Sequence, residues 1–212
     1  METEKQSKPK LLIITGPQGS GNHLFAKIFG LHPAVQGWRM MRQEWQGHHE
    51  EPFNKYWEDP QTLENYVLEA EFENYVTSIS CPYFKNKQPH VPKYKEFIKE
   101  AEKVFNVIVA VIGRDKTILE YQQKRVRNAH TTPQLIQLLD DLPNVHYISH
   151  ELLFLYRSKY LKALSKQLQF PIAYNHKTIL DDYFANDSNK KYIQNIDKGA
   201  FDDEVSKAVS ES

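Results

Sequence analysis

Short apolar runs alternate with segments of helical periodicity along this chain of 212 residues. The first apolar run covers residues 10–15 and stops at a glycine-rich turn, after which apolar side chains recur at helical spacing over residues 22–31. A strand, a loop and a packed helix are therefore predicted. The β-branched run at residues 107–112 predicts a second strand with both faces buried, as in the interior of a parallel sheet.

The same alternation continues along the chain. Strands are also expected over residues 35–38, 75–80 and 145–148. Helices are expected over residues 61–73, 93–104, 117–128, 133–139 and 151–168. Strands alternating with helices predict an α/β fold with three layers, α/β/α, and a mainly parallel central sheet. Ligands in such folds bind at the carboxyl ends of the strands.

One domain is expected over residues 10–174, with residues 1–9 as a disordered tail and residues 175–212 as a C-terminal extension. Residues 39–60 show no clear periodicity, and irregular segments of this length in compact domains are commonly lids or binding loops. Aromatic side chains in or beside this segment either pack on the core or form a wall for a bound acceptor. They are Trp38, Trp45, Phe53, Tyr56 and Trp57.

Composition excludes several classes of protein. The 27 basic residues balance 27 acidic ones, which argues against general binding to nucleic acid or to membrane surfaces. Cys81 is the single cysteine, so neither an intrachain disulfide nor a cysteine-based zinc site is possible. No apolar run approaches the length of about 20 residues that spans a membrane. The first ten residues lack a signal-peptide core. A soluble cytoplasmic protein is therefore expected.

The turn after the first strand carries the clearest chemical signal. Against the phosphate-binding pattern G-x-x-x-x-G-K-[ST], Gly16 and Gly21 match, whereas Asn22 takes the lysine position and His23 the hydroxyl position. Backbone N–H groups at a helix N-terminus bind phosphate, and the side chains of Ser20, Asn22 and His23 offer further donors. Phosphate binding is predicted here, and a purely structural glycine turn is the alternative.

Three motifs occur in a fixed order along the chain. They are residues 20–35, which end in Leu-His-Pro-Ala-Val, then Val-Ile-Gly-Arg-Asp at 111–115, and His-Tyr-Ile-Ser-His-Glu-Leu-Leu at 146–153 with Phe-Pro at 170–171. Together they resemble the sulfotransferase family. The first is similar to the loop and helix that bind the 5′-phosphate of the family's sulfonate donor. The second is similar to the turn whose arginine meets the 3′-phosphate, and the third to the family's Tyr-Glu-Asp-Leu helix.

The resemblance implies a P-loop, sulfotransferase-like fold and the transfer of a sulfonate group from PAPS, adenosine 3′-phosphate 5′-phosphosulfate. A small-molecule or glycan acceptor would receive the group on a hydroxyl or amine, without a metal. The resemblance implies that Arg114 and Gln122 hold the 3′-phosphate. It also implies that the donor lies on the loop residues Gln18, Gly19, Ser20, Gly21, Asn22 and His23.

Two pieces of the catalytic machinery are less well defined. The family's basic residue before Ser-Gly is replaced by Gly19, so another cation is required, and the candidates are Lys10, Arg39, Arg42 and Lys116. Acceptor deprotonation needs a general base, for which His48, His49 and Glu44 are candidates. A solvated loop or a metal site are other interpretations of that His/Glu cluster. A divergent P-loop nucleotide or nucleoside kinase and a non-catalytic nucleotide-binding module stay open as alternative functions.

Overall fold

A computed structural model describes most of the chain. The described residues are 8–37, 52–68, 72–85, 88–127, 132–139, 142, 144–187 and 189–190. The strands are β1 (Lys10–Pro17), β2 (Val35–Gln36), β3 (Asn74–Cys81), β4 (Tyr83–Lys85), β5 (Gln88–His90), β6 (Asn106–Gly113) and β7 (Val145–Ser149). The helices are α1 (Asn22–Gly30), α2 (Asn54–Glu58), α3 (Tyr94–Ala101), α4 (Lys116–Arg127), α5 (Thr132–Leu139), α6 (His150–Tyr156) and α7 (Ser158–Gln167). A 3₁₀ helix covers Pro60–Asn65 and a π-helical turn covers Ile179–Tyr183.

Among the described residues, five parallel strands form the central sheet in the order β2-β3-β1-β6-β7. β1 lies in the middle, where Leu12 is in register with Val76 of β3 and with Ile108 of β6. The β-branched strand β6 is an interior strand, as its apolar run predicts. The expected α/β fold with a mainly parallel sheet is confirmed. β4 and β5 form a separate antiparallel hairpin.

Alternate residues of the strands supply two cores, one on each face of the sheet. Leu11 and Ile13 pack with the apolar faces of α3 and α5 and with the aromatic side chains of α2. Leu12 and Ile14 pack with α1, α6 and α7, and with buried side chains that follow α7. Because a strand's side chains point alternately to opposite faces, one apolar run serves both cores. This gives the three expected layers.

Three of the aromatic residues considered as a ligand wall lie inside the first of these cores. Phe53, Tyr56 and Trp57 are all buried, and the indole of Trp57 stacks on Phe97 with ring centroids 3.8 Å apart. The packing alternative therefore holds for these three, and they form no open wall. Trp38 and Trp45 lie outside the described residues.

Two expected helices differ from the structure. Among its described residues, the segment expected to be helical over 61–73 forms only the short 3₁₀ helix. The backbone becomes extended at Tyr66, and the next residue, Val67, is exposed. The long helix expected over residues 151–168 is broken at Arg157, whose φ is +49°. The break divides it into α6 and α7, which both pack on the second core. Within the described part of the chain, no helix is long and apolar enough to cross a membrane.

Candidate functional site

The glycine-rich loop leaves the carboxyl end of the central strand β1 and leads directly into α1. Gly19 has φ of +88° and Gly21 has φ of +109°, and these left-handed conformations favour glycine. The N–H of Ser20 donates to the carbonyl of Pro17 at 3.0 Å, which closes the turn. At its N-terminus α1 has no side-chain cap from Gly21. Since the first N–H groups of a helix lack intrahelical partners, this end of α1 has the character of an anion site.

Two successive carbonyl groups of the loop are held by side chains from the neighbouring β6–α4 region. The buried Gln123 donates from Nε2 to the Gln18 oxygen at 2.7 Å, and Arg114 donates from Nη1 to the Gly19 oxygen at 2.5 Å. Carbonyl oxygens repel anions, so fixing them on protein donors favours a loop that presents N–H groups to a ligand. Gln18 in turn donates from its side chain to the Pro82 oxygen at 2.5 Å.

The side chain in the lysine position of the loop is turned towards β3. Asn22 is buried and donates from Nδ2 to Ser80 Oγ at 2.8 Å and to the Ile79 oxygen at 3.3 Å. The hydroxyl of Ser20, also buried, donates to Asn22 Oδ1 at 3.1 Å. These two side chains therefore fasten the loop to the carboxyl end of β3. His23 is exposed on the first turn of α1.

The carboxyl end of β3 lies directly beside the loop and carries no acidic residue. Gly16 is in register with Ser80, and Pro17 with Cys81. Burial raises the pKa of the Cys81 thiol to about 11, so this group stays a neutral thiol at pH 7. Among the described residues, no group of three or more His, Cys, Asp or Glu side chains is placed to hold a metal ion.

Arg114 brings together residues that the sequence assigns to two phosphate sites. Besides the Gly19 carbonyl, its Nη1 reaches Gln122 Oε1 at 2.6 Å. Its Nε and Nη2 both donate to Asn189 Oδ1, at 3.0 and 2.6 Å. Arg114, Gln122 and Gly19 are therefore neighbours. Asn189 belongs to the expected C-terminal extension, and no motif in the sequence indicates it.

His150 is a site residue that motif reasoning did not single out. It begins α6 at the carboxyl end of β7 and is 1% exposed, and its Cδ2 lies 2.7 Å from where a Cβ on Gly21 would be. Within the described part of the chain, its Nδ1 has no hydrogen-bond partner, and Glu151 Oε1 lies 4.0 Å from it. Burial, helped by the Arg114 charge and partly offset by Glu151 and Asp187, lowers the pKa of His150 to about 4. A neutral imidazole thus lies with its Cδ2 edge against the loop.

Glu151 connects the ends of β6 and β7 with the C-terminal segment. Its Oε1 accepts from the backbone N–H of Asp115 at 2.9 Å and from Asn189 Nδ2 at 3.4 Å. Its Oε2 accepts from the Ser149 hydroxyl at 3.2 Å. Asp115 caps α4 by accepting from the N–H of Ile118 at 2.9 Å. The loop, Arg114 and the C-terminal segment therefore belong to one polar network at the carboxyl edge of the sheet.

The candidate replacements for the missing loop cation are placed differently from one another. Lys10 is the first residue of β1, at the opposite end of the sheet from the loop, and its Nζ donates to the Gln169 oxygen at 2.5 Å. Its place in the strand rules it out as a loop cation. Lys116 is exposed on α4, where its Nζ lies 3.8 Å from Glu120 Oε1. Arg39 and Arg42 lie outside the described residues, as do the base candidates Glu44, His48 and His49.

The fold and the loop define an α/β protein with a glycine-rich turn at a helix N-terminus. No protein-family profile and no curated protein sequence matches the chain. Among solved structures, it is similar to a sulfotransferase domain from the curacin biosynthetic pathway, with TM-score 0.46 and 14% identity over 84% of this chain and 79% of that one.

Two further solved structures are similar to the chain. A gluconokinase from Sinorhizobium meliloti has TM-score 0.36 and 11% identity over 77% of this chain and 96% of that one. The mouse sulfotransferase SULT7A1, complexed with PAP, has TM-score 0.41 and 11% identity over 80% of this chain and 60% of that one. All three are neighbours in shape.

Proposed function

We propose that this protein binds PAPS and transfers its sulfonate group to a hydroxyl or amine of a small-molecule or glycan acceptor. The observation that carries the proposal is the contact of Arg114 with both Gly19 and Gln122. This contact joins the loop assigned to a 5′-phosphate to the residues assigned to a 3′-phosphate. A nucleotide with both phosphates matches that pair of adjacent sites.

The residues present fit such a ligand. The uncapped N-terminus of α1 suits a phosphate, and the planar guanidinium of Arg114 suits a second one. When bound, the donor supplies the sulfonate and its phosphate leaving group. The chain's own residues hold the two phosphates and keep the loop rigid.

Phosphoryl transfer from a magnesium-bound nucleoside triphosphate is less compatible with the site. Such sites use a loop lysine, a loop hydroxyl and an acidic residue on a neighbouring strand. Here Asn22 faces β3, and the residues of β3 in register with the loop are Ser80 and Cys81. One alternative does have a specific observation in its favour. Residues 16–23 contain neither lysine nor arginine, which favours a nucleotide-binding module without transfer activity.

Thermal unfolding with three ligands tests the binding part of the proposal. Adenosine 3′,5′-bisphosphate is expected to stabilise more than adenosine monophosphate, and more than magnesium ATP. A ligand at 100 times its Kd adds about 2.7 kcal/mol, which for a chain of this size raises Tm by roughly 5–11 °C. The largest shift with magnesium ATP would instead indicate a kinase, and no shift with any ligand would refute the nucleotide site.

Variants at Arg114 sharpen this test. Arg114→Lys keeps the charge but loses the planar, two-donor guanidinium. It is therefore expected to weaken binding of the bisphosphate more than binding of the monophosphate. Lys124→Ala is the matched control, because Lys124 is an exposed cation further along α4. Formation of adenosine 3′,5′-bisphosphate from PAPS, measured with a panel of hydroxyl and amine acceptors, then separates transfer from binding alone.

A further inference from the structure

We propose that Asn189 controls whether Arg114 accepts a 3′-phosphate, so that it determines the nucleotide specificity of the site. The inference rests on the proposed function and concerns the regulation of the same site. It assigns a role to a residue of the C-terminal segment, which the sequence motifs do not reach. The bound nucleotide and Asn189 would compete for the same edge of the guanidinium.

Four hydrogen bonds of Arg114 divide into two sets. Nη1 faces the loop and helix α4, where it contacts the Gly19 oxygen and Gln122. Nε and Nη2 form the edge with two parallel N–H groups, which is the edge arginine uses for bidentate contact with phosphate. Both of these atoms donate to Oδ1 of Asn189. A phosphate can therefore take this edge only when Asn189 leaves it.

Asn189 is held in this position by several other contacts. It is 6% exposed, its backbone N–H donates to Asp187 Oδ1 at 2.9 Å, and its Nδ2 donates to Glu151 Oε1 at 3.4 Å. The buried Phe184 anchors the same segment in the second core. The carboxamide is thus presented to Arg114 by a packed segment. Its oxygen is an uncharged acceptor on an edge that would otherwise favour an anion.

The two sets of contacts make the effects of a substitution separable. Removing the carboxamide of Asn189 leaves the Nη1 contacts to Gly19 and Gln122 in place. The loop therefore keeps its support, and binding of a 5′-phosphate is expected to be unaffected. A ligand with a second phosphate then no longer competes with Asn189 for the Nε and Nη2 edge.

Isothermal titration of the full chain with adenosine 3′,5′-bisphosphate and with adenosine monophosphate tests the inference. Asn189→Ala is expected to lower the Kd of the bisphosphate by about tenfold, which is the scale of one hydrogen bond to a charged group. It is expected to leave the monophosphate unchanged. Asn186→Ala is the matched control on the same segment, since Asn186 is exposed and donates to the Asp182 oxygen instead. This control is expected to change neither affinity.

Asn189→Asp gives the opposite test and does not depend on removing the side chain. A carboxylate in front of Arg114 is expected to lower the affinity for the bisphosphate below that of the wild type. The affinity for the monophosphate is again expected to stay unchanged. Unchanged or weaker bisphosphate binding in Asn189→Ala would overturn the inference. If the monophosphate still binds in that case, the loop site stands without it. If neither nucleotide binds wild type or variants, the proposed function falls as well.

Discussion

Gly21→Ala tests the geometry of the loop most directly, because it combines two separate costs. The first is backbone strain: a residue with a side chain held at φ of +109° lowers the free energy of unfolding by about 1–2 kcal/mol. The second is steric, since the new Cβ would lie 2.7 Å from Cδ2 of His150. The imidazole is buried and cannot swing into solvent, and overpacking of this kind costs about 1–3 kcal/mol. The expected loss in the free energy of unfolding is therefore about 3 kcal/mol.

Two other glycines provide a graded comparison in the same assay. Gly19→Ala shares the left-handed strain, but its Cβ would meet the end of the Gln122 side chain at 2.9 Å, which can move away. We expect it to cost about 1–2 kcal/mol. In Gly113→Ala the new Cβ would lie 3.8 Å from the Ile148 carbonyl oxygen, which is an ordinary contact. This variant is expected to change the free energy of unfolding by less than about 0.5 kcal/mol. At about 2–4 °C per kcal/mol, Gly21→Ala should lower Tm by roughly 6–12 °C.

A double-mutant cycle identifies the source of the Gly21 effect. If the clash with the imidazole is real, His150→Ala removes it, and the double variant loses less stability than the sum of the two single variants. Strict additivity would show that His150 does not lie against the loop. Equal stability of Gly21→Ala and Gly113→Ala would refute the left-handed turn as well. Either result would remove the structural basis of the anion site.

Two further predictions concern the groups around the loop. Burial and Arg114 lower the pKa of His150 from 6.5 to about 4. Between these two pH values the unfolded state is protonated at this histidine and the folded state is not, so the free energy of unfolding falls as the pH falls. In urea unfolding, the free energy of unfolding of the wild type should fall by about 2 kcal/mol more than that of His150→Gln between about pH 7.5 and about pH 5. Equal losses in the two proteins would contradict the lowered pKa. Gln123→Ala removes the donor to the Gln18 carbonyl, so titration should show adenosine monophosphate and the bisphosphate weakened alike, by about tenfold. The exposed neighbour Lys124→Ala serves as its control, and a loss confined to the bisphosphate would place Gln123 at the 3′-phosphate instead.

The sheet could be predicted from the sequence because its interior strands are buried on both faces. β1 and β6 are continuous apolar runs, and such runs have few alternatives to an interior parallel strand. The loop could be predicted as well, since the left-handed turns at Gly19 and Gly21 require glycine. In both cases the signal is local, because each residue type is dictated by its own backbone or burial.

The helix boundaries and part of the site could not be predicted, because their causes are not local. Arg157 interrupts a helical pattern that the sequence continues through it, and the helices on either side, α6 and α7, both pack on one core. Asn189 reaches Arg114, and His150 reaches the loop, only through tertiary structure. One lies 75 residues from the arginine it contacts, and an isolated asparagine in a polar stretch carries no motif.

The role of Asn22, which takes the lysine position of the loop, is explained by the register of the sheet. In sequence, Asn22 is a departure from a phosphate-binding pattern. In the structure, β3 lies beside β1 with Ser80 opposite Gly16, and Asn22 fastens the loop to that strand. The loop therefore keeps its shape without a cation of its own. In the described part of the site, charge compensation for a bound anion depends on Arg114 beside the loop. Such a site favours a nucleotide with two separate phosphates over a magnesium triphosphate, because one arginine and a helix N-terminus can each bind a single phosphate group.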